Sequence, residues 1–222
     1  MMSSIWSIVS RDIHINIKTS KDIFLVIGIY ISIILVFPFS LGPKSETLLS
    51  ISPAIIWISA LVTSINVFDK IFENDIKDGW FDQLLISKIP LEIIVIMKAL
   101  AHWISVGVPL IIISPIICLL FNMSLNAICI TLISLTLGTL SLTLIGIMGA
   151  ALILGSRRTS ALITFLVLPL TFPILIFGVS AINAELYQKS STPHLFLLAM
   201  CLCFLLILSP IATSAAIRIA SE

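Results

Sequence analysis

Charge is what this sequence has least of. Asp, Glu, Lys and Arg make up 10% of 222 residues, and none of them falls in the central part of any long apolar run. Ion-coupled carriers keep such groups at membrane depth, because a moving proton or cation needs a site. Their absence counts against a secondary transporter. There is no His-Glu-x-x-His and no Gly-x-Ser-x-Gly, which counts against a protease or an esterase. No Gly-x-x-x-x-Gly-Lys-Ser/Thr loop occurs either, and any nucleotide hydrolysis must come from another polypeptide. Internal repeats and low-complexity linkers are also lacking, and nothing suggests nucleic-acid binding.

What is present is hydrocarbon. With 59% hydrophobic residues and a mean hydropathy of +1.22, the chain could not cover a soluble surface with polar groups. Six charge-poor runs, at about 23–42, 48–68, 99–121, 127–154, 160–183 and 195–217, are long enough to cross roughly 30 Å of hydrocarbon as helices. They are continuously apolar, whereas barrel strands would alternate in short segments. The sequence therefore predicts an all-α, polytopic membrane protein forming a single domain over residues 1–222. The connections 122–126 and 184–194 are predicted as a tight turn and a longer polar loop.

An even number of spans places both termini on one side. That side carries Arg11, Lys18, Lys21, the 69–98 loop, Arg157, Arg158 and Arg218, ten of the twelve basic residues. Lys44 and Lys189 alone lie opposite. The positive-inside rule makes the basic side cytoplasmic. Residues 1–22 lack the compact apolar core and cleavage site of a signal peptide. Ile5, Ile8, Val9, Ile13 and Ile17 recur at near-helical spacing, which predicts an interfacial helix over 1–22 rather than a loose tail.

Few side chains could carry chemistry. Cys201 and Cys203 are two apart on a helix and point away from each other, so they share neither a metal nor a bridge. Cys118 and Cys129 flank an outer turn and could approach one another, although their ordinary reading is as small apolar residues packed in a bundle. Of His14, His102 and His194, His102 is the one beside a tryptophan, Trp103, at the entry to the third span. An interfacial anchor is the ordinary role of such a pair, and a ligand or gating role is the sharper one. Pro169 and Pro173 are predicted to break the fifth span near its middle, where a broken helix could line a pathway. In the fourth span Gly138, Gly146 and Gly149, with Ser134 and Ser141, predict a small-residue packing face.

The scarce charge is concentrated. Ten of the 23 charged residues lie between Asp69 and Lys98. Phe72, Ile76, Trp80 and Leu84 form an apolar stripe there, and Asp75, Asp78 and Asp82 share a different edge. Glu73 precedes Lys77 by four, a favourable helical pair. Gly79 interrupts the helix. Two short cytoplasmic helices meeting near Asp78-Gly79 are predicted, with a turn at Ile89-Pro90 before the third span. One edge can lie on the bundle while the acidic edge (Glu73, Asp75, Asp78, Gly79, Trp80 and Asp82) docks into a soluble partner. A solvated loop would not need Trp80 and Phe81 beside the glycine.

This layout resembles the membrane subunit of a type-2 ABC exporter. Asp78-Gly79, Leu84-Leu85 and Pro90 match that family's cytoplasmic pattern of an acid, a glycine, an apolar pair and a proline. More closely, the chain resembles the cytochrome c maturation protein B, or haem exporter protein B, family from end to end. The resemblance is carried by Phe37-Pro-Phe-Ser-Leu-Gly-Pro43, Ile51-Ser-Pro-Ala-Ile-Ile-Trp57, Ala101-His-Trp103, Val167-Leu-Pro-Leu-Thr-Phe-Pro-Ile174 and Leu208-Ser-Pro-Ile-Ala-Thr213. It implies a non-catalytic permease subunit of the bacterial inner membrane or of an organelle derived from one. A coupling helix within 69–92 would insert into a separate cytoplasmic ATPase, protein A of the system. Two permease copies per complex, the haem-handling membrane proteins C and D, surrounding lipid, and a role in c-type cytochrome biogenesis are further implications. Haem is then a transported or handled ligand, with His102, Trp103, Pro169 and Pro173 as candidates for its pathway, and no cofactor is held covalently. Whether haem crosses this subunit, or ATP instead releases a haem-loaded chaperone, stays open. The missing pair of axial ligands in the spans favours release. An ATP-independent scaffold and a general export permease remain the alternative functions.

Overall fold

The computed structural model describes residues 20–42, 45–68, 71–72, 90–152 and 161–220. Among them are six helices: α1 (Ser20–Leu41), α2 (Ser45–Ile65), α3 (Leu91–Leu120), α4 (Leu125–Leu152), α5 (Ala161–Leu186) and α6 (Thr192–Ala220). All six are long and apolar enough to cross a membrane. The all-helical, six-span architecture expected from the hydropathy pattern is therefore the one observed. Of the interfacial helix expected over 1–22 only residues 20–22 are described, where they open α1, and the two short helices expected to meet near Asp78-Gly79 lie outside the described residues.

Local chemistry sets the ends of the helices. Pro90 opens α3: it has no N–H to leave unpaired, and its carbonyl accepts from Ile93 N at 3.0 Å. The helix therefore starts at Leu91 rather than near residue 99, because Glu92 and Lys98 interrupt the apolar run without interrupting the backbone. At its other end Asn122 adopts a left-handed conformation (φ 55°), and Met123 N closes back on Cys118 O at 3.0 Å. Ser124 Oγ then accepts Ala127 N at 3.3 Å and caps α4. This is the tight turn expected at 122–126. The α5–α6 connection is shorter than predicted, spanning only 187–191, with Gln188 at φ 54° and Lys189 N bonded to Ala184 O at 2.7 Å.

The expected break in α5 does not occur. The helix runs continuously through Pro169 and Pro173. Between them the Thr171 hydroxyl donates to Leu168 O at 2.7 Å, a bond within the same turn, and membrane helices carry such prolines without breaking. All four cysteines are free thiols: Cys118 is buried and Cys129 exposed, and no bridge joins them.

Helix α4 is the hub, packing against α2, α3, α5 and α6, whereas α1 packs, among the described residues, chiefly on α2 and α3. Val26, Tyr30 and Ile34, one turn apart, are the buried row of α1. Several hydroxyls inside the bundle return to their own helix, as Thr131 Oγ1 does to Ala127 O and Thr139 Oγ1 to Leu135 O, both at 2.7 Å. Such bonds let polar side chains enter an apolar interior, although the Tyr30, Ser59 and Thr213 hydroxyls are buried without a partner among the described residues.

Candidate functional site

The expected coupling region joins the end of α2 to Pro90 at the start of α3, and its two roots are its described part. Glu73, Asp75, Asp78, Gly79, Trp80 and Asp82 themselves lie outside the described residues. Phe72, the first member of their apolar stripe, is 3% exposed and faces the bundle.

At this end of the molecule Lys98 is buried, with its Nζ 5.8 Å from the centroid of the Phe72 ring. A cation over an aromatic face is favourable, and more so away from water. One turn on, His102 is also buried; its ring centre is 6.2 Å from that of Phe68 at a tilt of 46°, and its Nε2 has no hydrogen-bond partner. Trp103 faces another way: half-buried, it donates from Nε1 to Thr139 Oγ1 of α4 at 2.9 Å. Glu92 and Arg218 form an ion pair at 3.3 Å that ties the start of α3 to the end of α6. Both side chains reach water, so this pair orients the two ends more than it stabilises them.

Phe68 is buried against Gly146 of α4, where a Cβ would run into the phenyl ring. Farther along α2, Trp57 is fully buried between two helices. A methyl group at Gly138 of α4 or at Gly178 of α5 would collide with its indole. Its Nε1 donates to Ser134 Oγ at 3.2 Å, and that hydroxyl donates to Gly178 O at 3.2 Å. Three helices therefore meet on one tryptophan. The glycine and serine face of α4 expected from sequence is the face that receives these rings.

The four pathway candidates do not converge. His102 and Trp103 sit on α3 and turn toward the core, whereas Pro169 and Pro173 are exposed on the outer side of α5. Among the described residues no three His, Cys, Asp or Glu side chains come together as a metal site would require. Sequence reasoning missed Lys98, Phe68 and Trp57. Lys98 is detectable as the residue four before His102 on one helical face, once α3 is started at Pro90. The two aromatic rings carry no such signal, since their partners are glycines remote in sequence.

A family model described as CcmB protein matches residues 3–220. Heme exporter protein B of Bradyrhizobium diazoefficiens is 36% identical over 219 residues, covering 98% of each chain. The protein of the same name from Pseudomonas aeruginosa is 34% identical over 219 residues, again 98% of each. That of Escherichia coli K12 is 35% identical over 217 residues, or 98% of this chain and 99% of the other.

Proposed function

The chain belongs to the CcmB protein family, and on that premise we propose that it is the membrane permease subunit of a haem export complex serving c-type cytochrome biogenesis. The observation that carries this reading is near end-to-end similarity to proteins named heme exporter protein B, on a bundle of six apolar helices. The subunit itself is non-catalytic, and a separate cytoplasmic ATPase supplies the energy. The ten-to-two division of basic residues supports a cytoplasmic location for both termini and for the 69–98 loop, in a bacterial-type inner membrane.

In this reading 1–222 is one permease domain with an interfacial segment over 1–22. The acidic edge formed by Glu73, Asp75, Asp78 and Asp82, with Gly79 and Trp80 at its elbow, docks into the ATPase. Closure of the ATPase pushes the segment against the bundle through Phe72, and the push enters α2 and α3 together. Haem is the cargo or handled ligand, two permease copies act per complex, and the haem-handling membrane proteins C and D complete it. The described interior supports chaperone release over passage through a single copy: Trp57, Phe68, Leu110, Leu135 and Leu142 fill it, and the pathway candidates point to different sides.

A strain lacking the chain is expected to lose c-type cytochromes while keeping b-type ones, scored by haem staining and membrane spectra. Retention of both would remove the biogenesis role and leave a general exporter. Replacing Asp78 with Lys or Gly79 with Trp is expected to abolish maturation. If the ATPase still co-purifies with such a variant and c-type cytochromes still form, the docking role fails and a scaffold becomes the better description.

A further inference from the structure

The cytoplasmic segment has two roots, and both are seated on the same short stretch of α4. From the α2 side, Phe68 occupies the notch at Gly146 and Trp57 the notch at Gly138. From the α3 side, Trp103 is bonded to Thr139 at 2.9 Å. The receiving residues run from Ser134 to Gly146, about 18 Å at the helical rise per residue. Beyond them α4 passes contacts onward: Ser134 Oγ donates to Gly178 O of α5 at 3.2 Å, and Ser209 Oγ of α6 donates to Leu144 O at 2.7 Å.

The spacing of the notches matters. Gly138 and Gly146 lie eight apart, with Leu142 on the i, i+4 row between them, one turn from each. Leu142 is 1% exposed, so it has no free space to move into. Both α2 and α4 run toward the segment, and each ring fits only where the facing residue is glycine. A slide of α2 along α4 in one direction drives Trp57 onto Leu142; a slide in the other drives Phe68 onto it. The arrangement resists displacement both ways.

We propose that Trp57, Phe68 and Trp103 are positioning residues that lock α2 and α3 to α4, so that a push on segment 69–92 moves the three helices as one body and reaches α5 and α6 through α4. This rests on the reading that the segment is driven by an ATPase. It adds the route of the stroke, which neither that reading nor family membership assigns. Closely packed interiors suit such a route because they shift between discrete arrangements rather than deforming continuously.

The test uses the purified complex with its ATPase and haem-handling subunits, measuring ATP hydrolysis and ATP-dependent haem release together. Phe68→Cys with Gly146→Cys is placed in a background whose native cysteines are alanine. Reduced, this variant lacks the ring, and haem released per ATP is expected to fall about tenfold, the scale of a broken coupling contact, with hydrolysis retained. Oxidised, the disulfide replaces the ring, and the yield per ATP is expected to recover. A disulfide that stops release, or a reduced form that couples as well as the parent, overturns the proposal. If the double cysteine variant does not assemble, Gly146→Ala alone and with Phe68→Leu decides: the single variant should uncouple, and the smaller side chain should restore coupling. Equal behaviour of the two variants also overturns the proposal. Failure of the ATPase reading looks different, since the parent complex itself would then show no ATP-dependent release.

Discussion

Helices α4 and α1 differ in a way that inverts the rule for soluble proteins. In the most apolar stretch of α4, 61% of residues are buried within the bundle, against 17% in α1. Yet the most apolar stretch of α1 is more hydrophobic than that of α4, and that of α6, more hydrophobic still, is also mostly outside the packed interior. Lipid is as apolar as a leucine core, so hydrophobicity does not draw a span inward. Close backbone approach does. Helix α4 brings Ser134, Gly138, Thr139, Ser141, Gly146 and Gly149 to its neighbours, whereas α1 turns Phe24 and Phe39 outward, at 73% and 84% exposure. Small and hydroxylated residues thus mark the face of α4 that meets its neighbours, and bulky ones mark the outward side of α1.

The sharpest way to break that contrast is to remove the ring on which three helices meet. Trp57→Ala is expected to cost about 3–5 kcal/mol, the range for emptying a buried large aromatic site. Phe39→Ala should leave stability nearly unchanged. Unfolding of the purified protein in detergent compares them, and similar losses for both would refute the account of α4. A smaller effect follows from filling a notch. Gly138→Ala should destabilise by about 1–3 kcal/mol through overpacking, whereas Gly28→Ala on α1, where a Cβ meets nothing within 4 Å, should be neutral or slightly stabilising, as alanine is in a helix. The same unfolding curves read the sign. Smallest is Ser209→Ala, which removes the hydroxyl bond from α6 to the Leu144 carbonyl. Interhelical hydrogen bonds in membranes average about 0.6 kcal/mol, so the midpoint should move only slightly. A large shift would mean that α6 is held by polar contact rather than by packing.

Much of this was readable along the chain, and the failures have specific causes. The spans were visible because an apolar run of bilayer length needs no partner to be recognised. The start of α3 was misplaced because Glu92 and Lys98 dilute the apolar signal, although Pro90 was the true boundary. A break was expected at Pro169 and Pro173, but α5 runs on through both, since each proline removes one backbone bond and the remaining ladder carries the helix. Gly138 and Gly146 were recognisable as a packing face. Trp57, Phe68 and Gly178 were not, because a ring and the glycine that admits it lie far apart in sequence and share no periodicity.

By itself the sequence determined that the chain crosses a membrane, how many times, and where its charge collects, since backbone hydrogen bonds within a span are satisfied locally and apolar length is a property of the segment alone. Tertiary structure alone decided which helix became the hub, which aromatic ring entered which notch, and that Lys98 and His102 are buried beside Phe72 and Phe68. Those outcomes depend on shape matching between surfaces of nearly equal hydrophobicity, and no single segment contains both halves of the match.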